Sequence, residues 1–125
     1  MAHILVVDDE PMVRRTLRAA LELAGHTVAE AEDGDSCLGA VRERAPDLIL
    51  MDIIMPNREG VETITVLRQT GFAAPIVAIS GGGRTGGMLF LETAAMLGAT
   101  RTLPKPVRNA DLMKTIADCL APQAA

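Results

Sequence analysis

The stretch ILVVDDEP, residues 4–11, decides the fold. Ile4-Leu5-Val6-Val7 is aliphatic throughout, with no polar residue on alternate positions. A strand reads this way when both of its faces are covered. Asp8 and Asp9 end the run, and Pro11 suits the first turn of a helix. Val13, Leu17, Leu21 and Ala24 then recur at helical spacing, and Gly25 reads as the helix stop. A strand handing over to a helix is one βα unit, and working outward the unit recurs. Further strand-like runs are Thr27–Ala31, Leu48–Met51, Ile76–Ile79 and a weaker one near Thr102–Leu103. The helical stripes between and after them are Leu38 with Val41, Ile64 with Leu67, and Leu91, Ala95 and Leu97 closed by Gly98. The last stripe is Leu112, Ile116 and Leu120, opened by Asn109 as an expected cap.

Five such units imply an α/β fold: a parallel sheet with helices on both faces and right-handed crossovers. The expected architecture is a doubly wound (βα)5, flavodoxin-like three-layer sandwich with a five-stranded sheet in the order 2-1-3-4-5. The chain has 125 residues, enough for one domain, so residues 1–125 are expected to form a single domain with no output domain in this chain. Apolar residues make up 49% and charged residues 22%, with a net charge of -4, so the chain can build a core and is not of disordered type. Aromatics are only 2%, which argues against base-stacking nucleic-acid modules and against a flavin site walled by rings. The acidic balance removes the electrostatic footprint of a DNA-binding surface. No run can span a bilayer or serve as a signal peptide, so a cytoplasmic protein with no membrane partner is expected. Cys37 and Cys119, each in an apolar helical pattern, read as reduced, buried thiols.

In a doubly wound sheet, ligands bind beyond the carboxyl ends of the strands, so each strand is informative at its last residue. Strand one ends in Asp8 and Asp9, strand three in Asp52, strand four in Ser80 before the glycines, and strand five is followed by Pro104-Lys105-Pro106. Strand two ends in nothing comparable, with Glu30 and Glu32 flanking it. In the expected order, Asp8, Asp9, Asp52, Ser80 and Lys105 share one rim of the sheet. Three carboxylates that close repel by roughly 4 kcal/mol per pair at 4 Å in an effective dielectric of about 20. Lys105 offsets part of this, and a divalent cation would offset more. Oxygen donors with open water positions suit Mg2+ better than zinc, which favours Cys and His. Mg2+ beside an exposed Asp, with an ammonium and a hydroxyl opposite, is a site for phosphoryl transfer to a carboxylate.

These motifs, the acid pair in VVDDEP, Asp52 in LILMDIIMP, Ser80 in IVAIS and Lys105 in LPKPV, together resemble the receiver domain of two-component response regulators. The resemblance covers essentially the whole chain and suggests a single-domain receiver similar to the chemotaxis response regulators. It implies that Asp52 is the phosphoacceptor, with Ser80 and Lys105 binding the phosphoryl oxygens. It also implies that Asp9 ligates Mg2+ directly, Asp8 acts mostly through metal-bound water, and the backbone carbonyl of Ile54 completes the protein ligands. A cis Lys105–Pro106 bond is implied as well. The implied partners are a sensor histidine kinase or a histidine phosphotransfer protein and an unknown output protein, with no nucleic acid. On this reading the chain is not an enzyme with an external product, because it catalyses only its own phosphorylation and dephosphorylation. The alternative within the class is a phosphorelay intermediate or phosphate sink without a conformational output.

Some features bear on competing readings. Asp9 or Glu10 before Pro11 could simply cap the first helix, but a cap does not account for Asp52 at the matching end of strand three. Ile54 stands where an aspartyl-phosphate hydrolase of the haloacid-dehalogenase type has a second Asp, and Asp8-Asp9-Glu10 would repel the phosphate of a flavodoxin ligand. Arg14, Arg15 and Arg18 read as a solvated face that could guide an acidic partner helix. Thr102 departs from the family pattern, in which many receivers carry Tyr, Phe or His three residues before the Lys. The glycine-rich loop from Gly81 to Gly87 is therefore expected to carry the switch that a ring carries elsewhere.

Overall fold

In a computed structural model, the structure describes residues 2–53, 59–81, 95, 98–105 and 107–121, with the backbone alone at 59, 80, 81 and 105. The strands are β1 (His3–Val7), β2 (Thr27–Ala31), β3 (Leu48–Asp52), β4 (Ile76–Gly81) and β5 (Arg101–Lys105). The described helices are α1 (Pro11–Leu23), α2 (Gly34–Glu43), α3 (Glu59–Gln69) and α4 (Asn109–Leu120). All strand pairs are parallel and the order is β2-β1-β3-β4-β5, as expected. The fourth expected stripe, Leu91 to Leu97, lies outside the described residues except for Ala95.

The unbroken aliphatic runs follow from two cores, one on each face of the sheet. Ile4, Val6, Leu48, Leu50, Val77 and Ile79 point to one side, where they meet Leu21 of α1 and Leu112 and Ile116 of α4. Leu5, Val7, Ile49, Met51, Ile76 and Ala78 point to the other side and meet Cys37 of α2 and Ile64 and Leu67 of α3. Side chains alternate across a strand, so a strand covered on both faces must be apolar at every position. The edge strands are held to a weaker standard. Only Val28 and Ala31 of β2 are buried, and β5 tolerates Pro104 because an edge position needs no second donor.

Helix ends show where local rules hold and where they yield. Gly25 has φ of 95° and directly follows the C-cap Ala24. Its N–H donates to the Glu22 carbonyl at 3.0 Å, and that of His26 to the Leu21 carbonyl at 3.1 Å. This pair of bonds satisfies carbonyls that the helix leaves open, and the left-handed backbone at Gly25 requires glycine. Asn109, expected as a cap, is instead the first residue of α4. The Leu112 N–H donates to the Arg108 carbonyl at 2.9 Å, so the first helical bond already starts one residue earlier. Asp33, not singled out from the sequence, is the capping residue of α2. Its carboxylate accepts from the Ser36 N–H at 2.8 Å and holds its own protonation below the usual carboxylate range.

At the opposite end from the acids, Arg68 of α3 donates to the carbonyls of Gly98, Phe72 and Ala74 at 2.7–3.0 Å. Its guanidinium replaces water for three carbonyls, and burial lowers its affinity for the proton. The thiols separate in a way the periodicity did not show. Cys37 is fully buried, while Cys119 is only partly so. Burial, with the Asp33 carboxylate nearby, pushes the Cys37 thiol up to about 12. Since the thiolate is the reactive form, a thiol reagent near neutral pH should label Cys119 first and Cys37 only after denaturation. Quantifying both adducts by peptide mass checks this, and early labelling of Cys37 would show that α2 is not seated as described. Among the described residues no helix is long and apolar enough to cross a membrane.

Candidate functional site

The strand order brings the carboxyl ends of β1 and β3 side by side, and the acids stand at those ends. Asp8 is 2% exposed and Asp52 7% exposed, while Asp9 is open to solvent. Each of the three offers a carboxylate oxygen within 4.8 Å of the others. Burial of two acids is a consequence of their position. Asp52 is the last residue of a strand that is buried along its whole length, in register with Ile79 of β4. The next peptide is still tied to the sheet, the Ile53 N–H donating to the Ile79 carbonyl at 2.9 Å.

Asp8 is held at three points. Its N–H donates to the Ala31 carbonyl at 3.1 Å, and its Oδ1 accepts from the Glu10 N–H at 2.8 Å. Its own carbonyl accepts from Arg14 Nη1 at 2.6 Å. The bond to Glu10 is the two-residue turn an Asp makes with its own backbone. It also settles the capping question. Glu10 occupies the cap position of α1, its carbonyl accepting from the Arg14 N–H at 3.1 Å, yet its side chain makes no capping bond. The acid pair is therefore not spent on capping the helix.

Of the three arginines expected on a solvated face, Arg15 is exposed and Arg18 half-exposed, whereas Arg14 is largely covered. Arg14 Nε meets Glu30 Oε1 at 3.1 Å, with only 14% of the arginine side chain exposed, and Arg18 Nη1 meets Glu30 Oε2 at 2.8 Å. Glu30 lies within β2, as the run Thr27–Ala31 has it. The Arg18 guanidinium first, and Arg14 after it, hold the Glu30 carboxyl below the usual carboxylate range. Only the Arg18–Glu22 pair at 3.4 Å is of the exposed helical kind.

The backbones of Ser80 and Lys105 stand near the same end of the sheet, Ser80 opposite Pro104 and Gly81 opposite Lys105. The side chains of Ser80 and Lys105, the Ile54 carbonyl, the Lys105–Pro106 bond and the loop beyond Gly81 lie outside the described residues. Thr102 is half-buried in β5, opposite Ala78.

Three carboxylates at this separation repel by roughly 3 kcal/mol per pair in an effective dielectric of about 20. The group contains neither His nor Cys. Hard oxygen donors with one side open to water fit Mg2+, which keeps several waters and takes few protein carboxylates. The cluster passes this test on its donor chemistry.

Gly60 supports the site from behind, and no sequence signal marked it. A Cβ there would stand 2.4 Å from the Ile53 Cα and 3.0 Å from the Ile53 carbonyl oxygen. Backbone cannot yield as a flexible side chain would, so Gly60→Ala must displace the peptide that follows Asp52. The expected cost is about 1–3 kcal/mol, read as a lower urea midpoint. Unchanged stability would mean that α3 can move off β3 freely.

Comparison with known proteins agrees with this geometry. The family model described as the response regulator receiver domain matches residues 4–117. The transcriptional regulatory protein CpxR of Escherichia coli (strain K12) is 35% identical over 116 residues, covering 93% of this chain and 48% of that protein. The response regulator MprA of Mycobacterium sp. (strain KMS) is 36% identical over 113 residues, covering 89% and 47%. The chain thus spans about half the length of these curated relatives. Among solved structures, the receiver domain of NtrX from Brucella abortus superposes with a TM-score of 0.86 at 32% identity, covering 94% of this chain and 97% of that one. The chemotaxis protein CheY4 of Vibrio cholerae does so with a TM-score of 0.83 at 30% identity, covering 96% and 99%. With the sheet order, the acid cluster at its carboxyl rim and a family match over nearly the whole length, this chain belongs to the response regulator receiver domain family.

Proposed function

We propose that residues 1–125 act as one receiver domain in which Asp52 accepts a phosphoryl group from a phosphohistidine. The donor is a sensor histidine kinase or a histidine phosphotransfer protein. The observation that carries the proposal is the meeting of Asp52 with Asp8 and Asp9, their carboxylate oxygens within 4.8 Å at the carboxyl end of the central strand. In the transfer, an Asp52 carboxylate oxygen forms a bond to phosphorus as the phosphorus–nitrogen bond breaks. The electron pair returns to the imidazole nitrogen. The product is an acyl phosphate on Asp52 and a free histidine on the donor.

Asp9 and Asp8 would hold Mg2+ together with Asp52 and the carbonyl of Ile54, Asp8 mostly through water. When bound, the ion supplies positive charge to the phosphoryl oxygens. Ser80 would donate a hydrogen bond to the transferred group and Lys105 would contribute its ammonium. Ile54 has no polar side-chain atom to orient an attacking water, so self-dephosphorylation receives no help from that residue. The domain catalyses only its own phosphorylation and dephosphorylation, and its output is carried by protein–protein contacts. The half-buried Thr102, in place of a ring, keeps the relay or phosphate-sink reading as the second one.

Incubation with acetyl phosphate and Mg2+, followed by intact-mass measurement, should add one phosphoryl group. The adduct should fail to form when the metal is removed by a chelator. A protein that stays unmodified with both reagents present would overturn the proposal. Hydrogen exchange with and without beryllofluoride then separates a conformational output from a sink.

A further inference from the structure

We propose that Arg14 is a positioning residue for divalent-cation binding, clamping the Asp8 main chain from a seat held by Glu30. The proposal rests on the metal reading of the acid cluster above. Arg14 Nη1 donates at 2.6 Å to the Asp8 carbonyl, which belongs to the peptide joining Asp8 to Asp9. That peptide carries the Asp9 N and Cα in its plane, so holding it limits where the Asp9 side chain can leave the backbone. Two other polar atoms of Asp8 are engaged as well, its N–H on Ala31 and its Oδ1 on the Glu10 N–H. Arg14 thus restrains the main chain at Asp8 from the carbonyl side.

The guanidinium is not free to leave. Its Nε lies 3.1 Å from Glu30 Oε1, while Arg18 Nη1 lies 2.8 Å from the other oxygen. Arg14 is therefore a fork with one tine on the carboxylate of β2 and the other on the carbonyl after β1. Only a planar, multi-donor cation spans two acceptors in this way. Without Glu30, a guanidinium that already reaches the Asp8 carbonyl could fold onto the neighbouring carboxylates and compete with the metal. Glu30 keeps that charge turned toward β2.

Two effects of Arg14 on metal affinity have opposite signs, and this makes the idea testable. Its positive charge near the cluster opposes Mg2+, so charge alone predicts that Arg14→Ala binds Mg2+ more tightly. Positioning predicts weaker binding, and partners behind the ligands are typically worth about 10-fold or more in metal affinity. The experiment is a Mg2+ titration followed by backbone amide shifts in the NMR spectrum, alongside urea melts of every variant. Arg14→Ala is expected to bind Mg2+ roughly 10-fold more weakly despite losing a cation. Arg14→Lys keeps the charge but not the fork, and should also bind several-fold more weakly. Arg18→Ala, which pairs with the same Glu30 without touching Asp8, should stay within about twofold. A purely structural Arg14 would lower the urea midpoint yet leave the Mg2+ affinity of the folded protein unchanged. Equal or tighter binding by Arg14→Ala overturns the proposal, and if that variant does not fold, wild-type affinity in Arg14→Lys overturns it instead. A wild-type protein that shows no Mg2+ response overturns the metal reading first and this proposal with it, so the two failures are distinct.

Discussion

Asp52→Asn protein treated with Mg2+ and acetyl phosphate is expected to gain no phosphoryl group, a fall of roughly 1000-fold or more in the rate of modification. The amide keeps the size and most of the hydrogen bonding of the carboxylate, but it has no anionic oxygen to attack phosphorus. The neighbouring acids do not replace it. Asp8 is buried and its Oδ1 already accepts from the Glu10 N–H. Asp9 is exposed and follows β1 rather than ending the central strand. Intact-mass measurement separates these cases, since an unchanged adduct on the Asn variant would move the acceptor to Asp8 or Asp9.

Asp9→Ala should weaken Mg2+ binding by about 10- to 100-fold, far more than Glu10→Ala, on the scale at which partners of a metal site are felt. Asp9 shares the cluster with Asp8 and Asp52, whereas the Glu10 side chain belongs to no such group among the described residues. The chain has no Trp, so amide shifts rather than indole fluorescence are the readout. The same substitution should make the metal-free protein more stable, by about 1 kcal/mol, because it removes one of three mutually repelling charges, and Asp9 is solvent-screened enough to reduce the full Coulomb value. Adding Mg2+ should then raise the urea midpoint of the wild type and leave that of Asp9→Ala nearly unmoved. Equal metal affinities in the two variants would show that the acid pair has been misassigned.

Most of the site's acids were legible because each stands at a place the strand pattern defines. Asp8 and Asp52 terminate runs that are apolar at every position, and a run covered on both faces ends at the rim of the sheet. Glycine stops were legible for a similar local reason, as at Gly25. The errors share a cause too. Arg14 has the spacing of an exposed helix face, and nothing within α1 reveals that β2 carries a carboxylate to draw it inward. Cys119 follows an apolar pattern at the end of α4, but a terminal turn is covered only as far as its neighbours extend.

The one-dimensional chain therefore determined what depends on period and on adjacency: five strands, the described helices, the order β2-β1-β3-β4-β5, and three acids on one rim. Burying an aliphatic run on two faces leaves few arrangements for a chain that alternates strands and helices. Tertiary structure alone decided which of the other distant groups meet. Arg14 finds Glu30 sixteen positions away and the Asp8 carbonyl behind it. Gly60 lies where any side chain would strike the peptide after Asp52, and Arg68 reaches the Gly98 carbonyl thirty positions on. Such pairings depend on how closely a helix approaches its strand and at what rotation. Those quantities are set by the packing of whole faces against one another, and no window of sequence carries them.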